Sequence, residues 1–217
     1  MDNSNIYTIK LNAAYLAKWI RYIFIAILAG TFFSFFEQLS QEYGEIAISN
    51  GFFLSGATIN IVITYCLLKL AAVEKEFNKA AYFLFLHILV GVIVNFIPEK
   101  TISGIPDIIV ILISIFQYCL ILYGEHLECR SFNNLLTGIN DKLAKNWKTY
   151  RFIHFVTYIL LLLLTIVSTV YADNIEKLVY FIVSWMPIIS MAIIFCYIYK
   201  LIILHKSAKL FKNLEMQ

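Results

Sequence analysis

Charge is what this sequence has least of: 14% of its 217 residues are Asp, Glu, Lys or Arg, and its mean hydropathy is +0.78. A soluble domain carries about 25% charged residues, so water is excluded as the solvent for most of the chain. Proline (3) and glycine (8) are also scarce, too thin a supply for the broken, closely packed helices on which alternating-access transporters depend. Pro98 and Pro106 flank one short polar segment, and Pro187 falls inside an apolar run, where it is expected to kink a helix. The four cysteines, at positions 66, 119, 129 and 196, lack any paired short spacing and read as free thiols in a reducing setting.

The signatures of catalysis are missing too. No Gly-x-Ser-x-Gly elbow surrounds Ser114, Ser168, Ser184 or Ser190, and the carboxylates stop at the ends of the apolar runs. No Gly-rich phosphate loop and no facing pair of heme histidines can be assembled. Neither an enzyme nor a bound cofactor is expected. The basic residues are spread between apolar runs rather than gathered in one patch, so no direct nucleic-acid binding is expected either.

What is present is a set of six apolar stretches, near residues 15–36, 50–70, 80–98, 105–124, 153–172 and 178–200. Each is long enough for a helix to cross about 30 Å of hydrocarbon. Their centres contain no Asp, Glu, Lys or Arg, groups that cost at least ~2.5–3.5 kcal/mol at that depth. Barrel strands would alternate apolar and polar residues, whereas Leu160 to Ile166 is almost continuously apolar. The first run follows Lys10, Lys18 and Arg21 as a signal peptide would. Bulky Phe32, Phe33, Phe35 and Phe36 occupy the place of a cleavage site, and the run is expected to remain as the first span.

Basic residues near span ends are retained on the cytoplasmic side. With the N-terminus inside, 15 of the 17 Lys and Arg residues fall in inner segments, leaving Lys100 and Lys177 outside. The outer segments carry Glu37, Glu42, Glu45, Glu99, Asp173 and Glu176. The expected fold is an all-α integral membrane protein: six transmembrane helices in three hairpins, both termini cytoplasmic, one polytopic domain over 1–217 in a bacterial inner membrane. A faint threefold repeat runs through Tyr65-Cys66, Tyr118-Cys119 and Phe195-Cys196, followed by Phe77, Phe132 and Phe211 at unequal spacing.

Two cytoplasmic stretches show amphipathic periodicity. In the elbow at 125–152, Phe132, Leu135, Leu136, Ile139, Leu143, Trp147 and Tyr150 fall close to one helical face, and Asp141 is placed to cap a second helix. In the tail at 201–217, Ile203, Leu204, Leu210, Phe211 and Leu214 interleave with Lys206, Lys209 and Lys212. Lys142, Lys145, Lys148, Arg151, Lys206, Lys209 and Lys212 are therefore the candidate residues for docking a partner or anionic lipid.

Glu125-His126-Leu127-Glu128-Cys129 is the densest group of potential metal ligands. No downstream Cys-x-x-Cys completes a zinc site, so the segment reads as a solvated helix end and no metal is expected. Asn60, His87 and Gln117 are polar residues within spans, with Asp107 at the outer mouth. They can line a solute or proton route, but without a counter-ion at mid-depth a structural hydrogen-bonding role is preferred. Gly51, Gly56 and Gly91 are the expected points of close helix approach.

Short outer segments leave little to bind an external ligand. The expected function is a non-enzymatic, multi-pass inner-membrane component, homo-oligomeric, that docks a cytoplasmic protein partner or senses the state of the membrane. Residue usage rich in Ile, Phe, Tyr, Asn and Lys suits A/T-rich genes, and the membrane subunit of an antiphage defence system is one special case. Two alternatives stay open: a small-solute transporter or substrate-binding subunit of an uptake system, and an oligomeric pore lined by Thr58, Asn60 and Thr64.

Overall fold

The computed structural model describes residues 9–42, 46–96, 107–170 and 175–216. Six long helices account for nearly all of them: α1 (Ala13–Glu42), α2 (Ile46–Leu70), α3 (Glu76–Asn95), α4 (Asp107–Leu136), α5 (Asp141–Val170) and α6 (Ile175–Glu215). There is no strand among the described residues. Four stretches, Ala13–Ser34, Phe53–Leu70, Glu76–Asn95 and Pro187–Glu215, are long and apolar enough to cross a membrane. Pro187 sits inside α6 without ending it, as lipid-embedded helices permit when neighbouring groups satisfy the freed carbonyl.

Each helix packs against its neighbours in sequence, and α1 packs against α6, so the six close into a ring. The outer surface is apolar: Phe32, Phe85, Ile93, Leu112, Phe152, Leu163, Ile188 and Phe195 all face outward. Such a contiguous apolar exterior is stable against lipid rather than water.

The tightest core lies at one end of the ring. It draws on Leu16, Ile20 and Ile23 early in α1, Leu67 and Leu70 at the end of α2, and Phe77 at the start of α3. Phe132 and Leu135 come from the end of α4, Trp147 from the start of α5, and Ile203 and Phe211 from the end of α6. Phe132 stacks on Trp147 with ring centroids 4.2 Å apart, and Phe77 meets Phe132 edge-on at 5.0 Å. The Trp147 Nε1–H donates to Ser207 Oγ at 3.1 Å, joining the elbow to the tail. The apolar faces expected to lie on lipid or a partner are thus turned inward against each other.

Two connections hold this end together. Between α2 and α3, the Glu74 carboxylate accepts the backbone N–H of Glu76 at 3.3 Å, supplying one of the bonds a helix start lacks. Between α4 and α5, Gly138 adopts φ 79°, a left-handed conformation that closes the end of α4 at little cost for glycine alone. The expected cap is displaced by one residue: Asn140 Oδ1 accepts the Leu143 N–H at 3.0 Å, and Asp141 reaches back instead to the Gly138 N–H at 2.8 Å. Asn and Asp are near-equal caps, so which one caps was decided by where the turn ends.

The expected close-approach glycines are also corrected. A Cβ on Gly56 would meet nothing within 4 Å, one on Gly91 would only touch Gln117 at 3.9 Å, and Gly51 lies where side-chain surroundings are not described. Gly124 on α4 is the intimate one: its Cβ would fall 2.8 Å from Leu84 Cγ and 3.3 Å from the Leu84 backbone nitrogen on α3. Gly124→Ala is expected to lower stability by about 1–3 kcal/mol through overpacking, with Leu84→Ala in the same chain recovering part of the loss. Thermal melting of the single and double variants in one detergent checks this, and additive losses would refute the contact.

Candidate functional site

Glu125 and Glu128 lie one turn apart on α4 and so share a face, and in the fold that face turns inward. Opposite them stands Lys200 of α6. Its Nζ donates to Glu125 Oε1 at 2.7 Å and Oε2 at 2.8 Å, and to Glu128 Oε2 at 3.0 Å. The side chains of Lys200, Glu125 and Glu128 are 8%, 14% and 0% exposed. The solvated helix end expected from sequence is therefore a buried ion triad. Lys200, counted among the inner basic residues for orientation, is committed to this pair of carboxylates.

Two carboxylates against one ammonium cannot both be fully compensated. The triad divides accordingly. Burial raises the Glu125 carboxyl, but the Lys200 ammonium, with His154 and the Lys200 and Tyr150 hydrogen bonds, more than reverses this and holds it below the ordinary carboxylate range. Glu128 is pushed up to about 7 by burial, reinforced by the charge on Glu125 and only partly offset by Lys200. Its Oε1 is buried with no hydrogen-bond partner. The two Lys200 contacts thus bind one fully ionised carboxylate and one that titrates near neutrality.

Tyr150 donates its hydroxyl to Glu125 Oε2 at 3.4 Å, and burial together with the Glu125 charge keeps that hydroxyl protonated. His154 lies beside it, 6% exposed, stacked on Tyr158 with centroids 4.3 Å apart. These groups border a cavity of about 260 Å³ that reaches Thr157 on α5, Cys196 on α6, Asn60 and Thr64 on α2, and His87 on α3. A second cavity, of about 190 Å³, continues towards Ser34 and Gly56 and shares Asn60, His87 and Ile88 with the first.

The expected intramembrane residues are brought together in part. Asn60 and His87 line both cavities, and His87 Nδ1 is 3.2 Å from the Gln117 carbonyl oxygen. Gln117 contributes that backbone oxygen rather than its amide. The counter-ion missing at the sequence level is Glu125, whose charge reaches both His87 and His154. The Asp107 side chain lies outside the described residues.

The docking candidates stand on the outside of the same end. Lys142, Lys145 and Lys148 are exposed on α5, with Arg151 half-buried, and Lys206, Lys209 and Lys212 are exposed on α6. Lys145, Lys148, Arg151, Lys209 and Lys212 rim two grooves. One, about 760 Å³ between α4 and α5, has Lys145, Lys148, Arg151 and His126 above Leu122, Phe152 and Phe155. The other, about 830 Å³ between α1 and α6, has Lys18, Arg21, Lys209 and Lys212 above Ala17, Phe24 and Ile25.

His126 and Cys129 both border the α4–α5 groove, but His126 is exposed, while Cys129 is buried and its thiol raised well above the ordinary range by that burial. All four cysteines are free thiols. No family model, no curated protein and no solved structure matches this chain.

Removing one partner of a buried pair leaves an uncompensated charge, so Lys200→Met is expected to destabilise the fold by about 3–5 kcal/mol. Adding Glu125→Gln and Glu128→Gln to it should recover most of that loss, read as the melting temperature in detergent. The titration of Glu128 gives a second expectation. Its folded-state value of about 7 lies above its ordinary 4.5, so its stabilisation is complete below pH 4.5 and is lost as pH rises through 7. Glu125, shifted the other way, loses its contribution only as pH falls below its ordinary 4.5. Between pH 5 and 8 the native chain should therefore lose stability relative to Glu128→Gln, a difference read by melting both across pH.

Proposed function

We propose that this chain is a non-enzymatic, multi-pass inner-membrane component that crosses the bilayer six times as three hairpins, with both termini in the cytoplasm. Its cationic cytoplasmic end docks an acidic protein partner. The observation that carries this reading is the inward turn of the elbow and tail. With Trp147, Phe132, Phe211 and Ile203 buried in a shared core, Lys142, Lys145, Lys148, Lys206, Lys209 and Lys212 project from helices that are fixed relative to one another. A rigid array of like charges attracts an oppositely charged surface and sets its orientation without ordering cost on this side.

The orientation rests on the asymmetry of the basic residues, and it agrees with the location of the polar elements of the fold. The ion triad, both basic grooves and the tightly packed aromatic core all belong to the end carrying the Lys and Arg excess. Where the apolar spans stop, such residues meet water and anionic headgroups. Association with further copies of the chain through the apolar flanks belongs to the same proposal.

Replacing the six exposed lysines with Gln should leave the melting temperature within a few degrees of the native value, because none of them takes part in the core. Co-purification of acidic cytoplasmic proteins, quantified at low and high salt, should fall to the level of an unrelated membrane protein. Undiminished association of every partner with the neutralised chain refutes docking. For topology, a reporter fused after Gln217 that works only in the cytoplasm should be active, and one that works only in the periplasm should be silent.

A further inference from the structure

The two cavities raise a question that the docking surface does not answer. Polar side chains that face space inside an apolar bundle need partners, since an unpaired polar group in a low-dielectric interior is costly. Asn60, His154 and Tyr158 border the larger cavity, and none makes a side-chain hydrogen bond to another described residue. His154 is more than nine-tenths buried. About 260 Å³ with several polar walls is room for a group of water molecules, the occupant that satisfies such a lining.

His87 stands where the two cavities meet. A carbonyl oxygen only accepts, so the contact with Gln117 O places the hydrogen on Nδ1 and fixes the tautomer. Nε2 then carries the free lone pair, with no hydrogen-bond partner among the described residues. An imidazole held in this way takes a proton at Nε2 and releases it from the same atom to water on either side.

We propose that the two cavities form a proton path, in which the Glu125–Lys200–Glu128 triad binds a proton at one end and His87 relays it to the smaller cavity.

The charges around the triad favour a proton over other cations. On α4, Glu125 and Glu128 supply two carboxylates. On α6, Lys200 supplies one ammonium, and it already fills the position between them that a metal cation would take. On α5, Tyr150 and His154 face Glu125, and on α3 the facing group is His87. Cys129 on α4, Tyr158 on α5, and Cys196 and Tyr197 on α6 are further titratable neighbours of Glu125. The excess negative charge is one, and a single proton on Glu128 removes it without displacing any group. The value of about 7 at Glu128 is that of a site that loads and unloads near neutral pH. No three His, Cys, Asp or Glu residues converge as metal ligands among the described residues.

In transfer, Glu125 on the wall of the larger cavity takes a proton from a hydronium and passes it to Glu128, which shares Lys200 with it, and release reverses these two moves and returns the proton to cavity water. His87 Nε2 takes a proton from that water, becomes imidazolium, and gives it up to water in the second cavity. Each step moves one proton, between oxygens at the triad and between oxygen and nitrogen at His87, and a full cycle leaves no charge behind.

The path does not depend on the docking reading, and vesicles with the chain inserted in both directions test it whatever the native orientation. Purified full-length chain is reconstituted into vesicles of neutral and anionic phospholipid with an entrapped pH-sensitive dye. A potassium gradient with valinomycin then drives proton entry. The native chain should acidify the lumen faster than protein-free vesicles, and His87→Gln, which retains an N–H for the Gln117 carbonyl but no titratable ring, should return the rate to the protein-free level. Infrared difference spectra across neutral pH should show a protonated carboxyl signal in the native chain that is lost in Glu128→Gln. A native rate equal to that of empty vesicles overturns the proposal. So does an unchanged rate in His87→Gln, or sodium entry of equal size in a parallel sodium-dye measurement.

Discussion

An ammonium group held between two carboxylates away from water is the interaction on which this architecture turns. Lys200 on α6 reaches Glu125 and Glu128 on α4, two helices separated in the ring by α5, and so braces the bundle across its middle rather than along its circumference. Charges buried to this degree are stable only with satisfied partners, so the triad fixes the rotation of both helices about their axes. Tyr150 from α5 is then drawn into the same network through its bond to Glu125. The polar cavity borders this brace, with Glu125, Lys200 and Tyr150 on its wall.

The aromatic core beyond the triad is a different kind of construction. Trp147, Phe132, Phe77 and Phe211 come from four helices and meet at the end of the ring where the chain leaves its most apolar stretches. There the hydrophobic effect operates as in a soluble protein, whereas between lipid-facing segments it gives helices no reason to associate. The ring is thus closed by burial at one end and by close van der Waals approach deeper in. The contact of Gly124 with Leu84 is the clearest instance of the second mode.

Much of this was written in the sequence as periodicity and length. The apolar runs, the helical class and the single faces of the elbow and tail are local properties, and Phe132, Leu135, Trp147 and Phe211 are buried as that periodicity implied. What those faces bury against is a matter of tertiary partnership. A basic amphipathic segment looks the same whether its apolar side meets lipid, another protein or its own bundle, and here it meets its own bundle. The triad was hidden for a similar reason. Glu125 and Glu128 at spacing i, i+3 define a shared face, yet only the fold says that Lys200, 72 positions beyond Glu128, stands opposite. A charge count treats Lys200 as one more residue at a span end, where long side chains ordinarily reach back to the surface. Asn60 and His87 were legible because a polar residue within an apolar run is conspicuous, whereas Tyr150 read as one more residue of the elbow's apolar face and nothing local marked His154.

Contact between the first and the last helix closes the ring, and this has a bearing on how the molecule is made. During synthesis α1 is made with no α6 to meet it, so its inward face, including Ile20 and Ile23, must be sheltered by α2 or by lipid until α6 follows. Phe211, near the end of α6, belongs to the same buried cluster as Trp147 and Phe132. Completion of the interior therefore waits on α6, and a chain interrupted before Phe211 would be left as an open horseshoe with Trp147 and Phe132 uncovered.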